Sequence, residues 1–93
     1  MISCRYVIST NHGLHAANAM SLSRAASDYQ CKITLESAKG VADCKNVLSL
    51  MSLGAKQGES LILTADGPDE KLAMGYLSGI LRTILRFALN DFK

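Results

Sequence analysis

The spacing of the apolar residues changes along this chain, and that change constrains the fold more than any other feature. Apolar and polar residues alternate over residues 2–8 and again over 31–37, as in strands that are buried on one face. Towards the end, apolar residues recur every three or four positions, the spacing of a helix with one buried side. These last positions are Leu72, Ala73, Tyr76, Leu77, Ile80, Leu81, Ile84, Leu85, Ala88 and Leu89. The chain therefore combines strands with helices that cover them.

The remaining segments complete an alternating order of strands and helices. Residues 16–28 are small and helix-permissive, with a predicted apolar face of Ala19, Met20, Leu22, Ala25, Ala26 and Tyr29. A turn at 38–40 leads to a short strand at 41–44, and a short helix over 46–53 should end at Gly54. A fourth strand covers 59–65, and the acidic turn after it opens the last helix. We predict an α+β open-faced sandwich: a four-stranded antiparallel sheet with three helices on one face.

Length and composition limit the function classes. The 93 residues are 48% hydrophobic, which suits one domain over 1–93. The net charge is +2 with no block of like charges, so we expect no nucleic-acid partner. No apolar run reaches membrane-spanning length and no signal peptide opens the chain, so we expect no direct membrane insertion and a cytoplasmic location. The three cysteines form no Cys-x-x-Cys pair, which predicts reduced thiols and neither metal nor cofactor.

Two histidines lie in the segment between the first predicted strand and the first predicted helix. His15 stands at the point where the helix begins, beside amides that have no partner within the helix and beside the positive end of its dipole. A phosphoryl group on that imidazole would be stabilised without a metal. From spacing alone, an ordinary loop histidine that caps the helix remains the alternative.

Three motifs together resemble a known family. Gly13-Leu14-His15-Ala16 is followed by Lys45-Asn46-Val47-Leu48-Ser49-Leu50-Met51-Ser52-Leu53-Gly54, then by Gly58-Glu59-Ser60-Leu61-Ile62-Leu63 and Ala65-Asp66-Gly67-Pro68-Asp69-Glu70. At these separations they resemble the histidine-containing phosphocarrier protein (HPr) family of the bacterial sugar phosphotransferase system. The resemblance covers essentially the whole chain.

The resemblance implies a phosphoryl relay rather than a turnover enzyme. His15 would accept a phosphoryl group on Nδ1 from a phosphoenolpyruvate-dependent donor protein kinase and pass it to sugar-specific carrier proteins. The helix-start amides, here those of Ala16 and Ala17, would hold the transferred charge.

The residues after the histidine depart from the family pattern. The family continues Ala-Arg-Pro-Ala, whereas this chain has Ala16-Ala17-Asn18-Ala19, so a phosphate-binding arginine and a helix-opening proline are missing. Asn18 supplies a polar amide near the helix start but no positive charge. His12 either donates to the phosphate when protonated or is a solvated loop histidine. Arg24 stands about 13 Å further along the helix and is a poor replacement.

The short second helix carries the other features that the resemblance implies. Many relatives from Gram-positive bacteria have a regulatory phosphorylated serine after the lysine, where this chain has Asn46, which can cap a helix but cannot take that phosphate. Val47, Leu48 and Met51 occupy positions that dock partner proteins in the family. We expect Leu48 and Met51 to be partly exposed, with Leu50 and Leu53 inside.

The missing arginine and the end of the last helix lead to two further expectations. Because the arginine is missing, a binding or regulatory module that has lost efficient phosphotransfer is the alternative to a working carrier. Phe87 and Phe92 stand beyond the point where a sheet of short strands would cover the last helix. Apolar surface there would support weak self-association.

Overall fold

Within the described part of the chain, four strands and three helices follow one another in the predicted order. The structure is a computed structural model that describes residues 1–8, 16–54, 56 and 58–85. The elements are β1 (Ile2–Val7), α1 (Ala16–Ala26), β2 (Lys32–Ser37), β3 (Gly40–Asp43), α2 (Val47–Ser52), β4 (Ser60–Asp66) and α3 (Glu70–Leu85). The α+β open-faced sandwich is confirmed.

The four strands pair antiparallel in the order β1-β4-β2-β3. Leu63 of β4 lies opposite Cys4 on one side and opposite Leu35 on the other, and Leu35 lies opposite Ala42. Because side chains alternate between the two faces of a strand, this register puts all four on one face of the sheet. The helices cover that face, and the other face carries mostly polar side chains such as Ser3 and Thr64, whose hydroxyls lie 3.0 Å apart.

The helices bury a narrower set of residues than their spacing predicts. Among the side chains of α3 that the structure describes, Ala73, Leu77 and Leu81 are fully buried at a spacing of four residues, and Met74 is buried beside them. Leu72 and Tyr76, predicted to be buried, are exposed. Each residue turns an α-helix by about 100°, so a side chain one position before a buried one points well to its side. The last predicted apolar positions, with Phe87 and Phe92, lie outside the described residues.

In α1, one residue of the predicted apolar face is likewise exposed. Ala19, Leu22 and Ala26 are buried as predicted, but Met20 is exposed. Ser23, which the apolar pattern does not include, is buried instead because its position faces the core. The position of a residue on α1 therefore decides its burial more than its polarity does, since Ser23 is buried and Met20 is exposed.

Burial keeps two of the three cysteines as thiols. Cys31 and Cys44 are buried, Cys4 is half-buried, and all three are free. Burial raises the pKa of the Cys44 thiol to about 12 and also raises the pKa of Cys31. The two buried side chains thus behave as small apolar residues, as predicted.

Asp69 joins the start of α3 to the segment that leads into β2. Its Oδ2 accepts the Gln30 amide at 2.8 Å, and its Oδ1 accepts the Cys31 amide at 2.9 Å. Nearby, Gly67 has φ +155°, and a Cβ there would lie 2.6 Å from the Cys31 Cα, so only glycine fits this approach. The Gln30 amide is the main reason that the pKa of Asp69 is lowered from 3.8.

These bonds predict a defined pH dependence of stability. The charged form of Asp69 is favoured in the folded state, so its contribution is complete above the unfolded pKa and is lost as pH falls through the folded pKa. Asp69→Asn should therefore lower the melting temperature at neutral pH, and the gap to wild type should narrow below pH 3.8. Circular dichroism melts across a pH series measure both effects.

Asp28→Asn is the matched control, because it removes the same charge from an exposed position. It should leave the melting temperature nearly unchanged. A gap for Asp69→Asn that stays constant down to the most acidic pH would contradict this role for the carboxylate.

Candidate functional site

The first helix begins directly after His15. Ala16 and Ala17 are the first two residues of α1, as the sequence predicted for the helix start. The first amides of a helix have no carbonyl one turn earlier to bond, so they can face an anion. His12 and His15 themselves lie outside the described residues.

The charge distribution of α1 leaves its first turn positive. The 11-residue helix has no acidic residue in its first turn, and its basic residue, Arg24, lies in the last turn. The helix dipole places positive partial charge at the start, and no carboxylate of that turn offsets it. Arg24 stands at the opposite end of the helix, which agrees with the prediction that it is a poor replacement for the missing arginine. Asn18, in the first turn, is half-buried.

The start of α2 is held by Asn46. Its side-chain oxygen accepts the Ser49 amide at 3.1 Å, which confirms the capping role predicted for this amide. The Ser49 hydroxyl accepts the Asp43 amide at 3.0 Å and so joins the helix to β3. Lys45 donates from Nζ to the Tyr29 carbonyl at 2.7 Å, beyond the end of α1. The short helix is therefore fixed at its first turn by side chains on both sides of the cap.

The exposed apolar residues of α2 are those that the sequence predicted. Leu48 is 74% exposed and Met51 42%, Val47 is half-buried, and Leu50 and Leu53 are buried. The next residue, Gly54, has φ +57° and ends the helix.

A further exposed apolar side chain lies on α1, the helix that packs against α2. Met20 is 54% exposed, and α1 packs against α2. We refer to Met20, Leu48 and Met51 together as the apolar patch. Met20 belongs to the predicted apolar face of α1, but its position, about 100° from Ala19 around the helix, indicates an exposed side.

The described residues include neither a cluster of metal-binding side chains nor a helix that could span a membrane. No group of three His, Cys, Asp or Glu side chains within 1–8, 16–54, 56 and 58–85 could hold a metal ion. In the same part of the chain, no helix is long and apolar enough to cross a membrane.

Comparisons with known proteins agree with this geometry. Residues 2–83 match the family model described as the PTS HPr component phosphorylation site. Phosphocarrier protein HPr of Mycoplasma pneumoniae is 30% identical over 82 residues, which cover 87% of this chain and 93% of that protein.

Two solved structures extend the comparison. A histidine-containing phosphocarrier protein of Mycoplasma superposes with a TM-score of 0.89 at 23% identity, covering 92% of this chain and 98% of that one. The catabolite repression protein Crh of Bacillus subtilis, described as a swapped dimer, has a TM-score of 0.70 at 28% identity and covers 76% of this chain and 82% of its own. The chain therefore belongs to the HPr family, whose members act as phosphocarriers with other phosphotransfer proteins of the bacterial phosphotransferase system.

Proposed function

We propose that this chain relays a phosphoryl group on His15 from a phosphoenolpyruvate-dependent donor protein kinase to sugar-specific carrier proteins. The observation that carries the proposal is the start of α1 at Ala16, directly after the histidine, in a chain that matches the family over residues 2–83. The proposal treats residues 1–93 as a single domain that needs no cofactor. It places the protein in the cytoplasm, where free cysteines stay reduced.

The transfer is a pair of substitutions at phosphorus. In the first, the Nδ1 lone pair of neutral His15 forms a bond to phosphorus, and the bond from phosphorus to the donor's phosphorylated group breaks with its electron pair. In the second, a nucleophile of the acceptor forms the new bond, and the imidazole keeps the electron pair of the broken N–P bond. His15 thus returns to its starting state.

The start of α1 is the source of stabilisation in this proposal. The amides of Ala16 and Ala17 face the transferred charge, and no acidic residue in that turn opposes them. Asn18 adds a polar group in the same turn, and His12 would donate to the phosphate when it is protonated and projects towards His15. Because Ala17 stands where the family has arginine, the site lacks a charge-assisted and often bidentate bond. We therefore expect a working carrier that transfers more slowly than one with the arginine.

Docking in this proposal uses the apolar patch together with Val47. Leu48 and Met51 lie on α2, and Met20 lies on α1, the helix that His15 precedes. Methionine adapts its shape to different partners, which suits a surface that must accept both a donor and several acceptors. The capped first turn of α2 holds this surface in place without a regulatory phosphate, since Asn46 does the capping.

His15 should be the phosphorylated residue. After incubation with phosphoenolpyruvate and the donor kinase, phosphorus NMR should show a phosphohistidine resonance for wild type and for His12→Ala, and none for His15→Ala. His12→Ala is the matched control because it removes the other histidine of the same segment. No resonance in the folded wild type would favour the binding or regulatory module instead.

Restoring the family arginine should speed the transfer. Ala17→Arg adds a guanidinium beside the phosphate, and one such donor can raise a transfer rate by up to ~10²-fold. Single-turnover labelling of His15 measures the rate. Ala17→Gln is the control, because it adds a side chain and an amide without the charge. An equal rate in Ala17→Arg and wild type would contradict a phosphate site beside residue 17.

Truncating the apolar patch should weaken docking rather than chemistry. Leu48→Ala should raise KM for the donor kinase by roughly tenfold with little change in kcat, as expected for a central contact residue. Leu72→Ala is the control, since Leu72 is 72% exposed against 74% for Leu48 but lies on α3. Equal KM values for the two variants would show that the donor docks elsewhere.

A further inference from the structure

The outer side of α3 carries a stripe of exposed residues with an unusual composition. Leu72 is 72% exposed and Tyr76 55%, and the exposed Gly75 and Gly79 stand beside them at helical spacing. We call these four residues the α3 stripe. We propose that the α3 stripe is a contact surface for a second copy of this chain, which packs its own α3 against it in an antiparallel dimer.

Side-chain packing within the described part of the chain does not require glycine at either position. A Cβ built on Gly75 or on Gly79 would meet no heavy atom of the described residues within 4 Å outside its own helix turn. Glycine inside a helix costs about 0.5–1 kcal/mol relative to alanine. Without a side chain at these two positions, a helix from another molecule can pack closely against the α3 backbone.

A groove runs beside the stripe, between α1 and α3. It has a volume of about 690 Å³ and is lined on one side by Ser21, Arg24 and Asp28 of the α1 segment and on the other by Gly75, Tyr76 and Gly79. The groove is open to solvent, and more of its surface is apolar than polar. The side chains of a second helix laid along α3 would fill it.

The stripe is complementary to itself. In an antiparallel pair whose two-fold axis passes between positions 75 and 76, Leu72 lies opposite Gly79 of the partner subunit. Tyr76 then lies opposite Gly75 of the partner subunit. Each large side chain therefore meets a glycine, and the two-fold axis repeats both contacts. This match between large and small positions favours a second copy over an unrelated partner.

The charges agree with the same arrangement. None of the four stripe residues is charged, so the centre of the contact has no like-charge repulsion. The dipoles of the two helices also run antiparallel, which brings opposite partial charges together at each end.

The size of the contact sets its strength. One helix face with two large apolar side chains buries less than the roughly 1,200 Å² at which the standard class of stable interfaces begins. We therefore expect a weak dimer that forms with rising concentration. The contact uses none of the residues assigned to phosphotransfer, so its test is independent of the relay.

The experiment compares wild type with Gly75→Gln and Gly79→Gln. Glutamine favours helix more than glycine does, and each position has open space, so both variants should fold at least as stably as wild type. Sedimentation equilibrium should show a wild-type dimer at high concentration and at least a tenfold larger dissociation constant for each variant. In amide NMR spectra of wild type, the shifts that depend on concentration should map to α3 and the neighbouring part of α1.

Lys71→Gln is the matched control, because it places the same residue on α3 at an exposed position beside the stripe. It should dimerise like wild type. A monomer at every concentration, or a dimer that persists unchanged in both glycine variants, would overturn the proposal. So would shifts that map to the apolar patch or to the edge of β1, since each would identify a different contact or an exchange of strands.

Discussion

Burial of one face of the antiparallel sheet is the interaction on which the rest of the structure depends. Leu63 sits at its centre, because β4 pairs with both β1 and β2 and so brings Cys4 and Leu35 beside it. The helices pack on this face, and α3 does so through the buried side chains of Ala73, Leu77 and Leu81. Asp69 then ties the start of α3 to the segment before β2, so that covering helix and sheet are joined by hydrogen bonds as well as by apolar contact.

The sheet positions the start of α1, on which the proposed phosphotransfer depends. Packing of α1 through Ala19, Leu22 and Ala26 fixes where that helix lies and therefore where its first turn presents its amides. At a helix start, an anion is stabilised mainly by backbone N–H groups and the helix dipole, so few charged side chains are needed. In the proposed relay, backbone amides would therefore hold the phosphoryl group of a chain that has alanine and asparagine after the histidine and lacks the guanidinium that would bind it more strongly.

The helices carry two exposed apolar surfaces that differ in chemical character. The apolar patch on α1 and α2 is rich in methionine and carries no glycine, which suits adaptable contact with several partners. The α3 stripe alternates large side chains with glycines, which suits one fixed helix packed closely against it. Because the two surfaces lie on different elements, substitutions can separate the proposed docking from the proposed dimer.

The sequence by itself determined the order of the elements, the helix start after His15 and the cap at Asn46, because these depend on local spacing and local hydrogen bonds. It also indicated which residues of α2 are exposed. It could not determine the strand order β1-β4-β2-β3, which results from pairing between distant segments. Nor could it determine that Met20, Leu72 and Tyr76 lie outside, since α1 and α3 contain more apolar residues than one side of a helix can bury. Only the packing of the helices on the sheet decided which of them the core accepts.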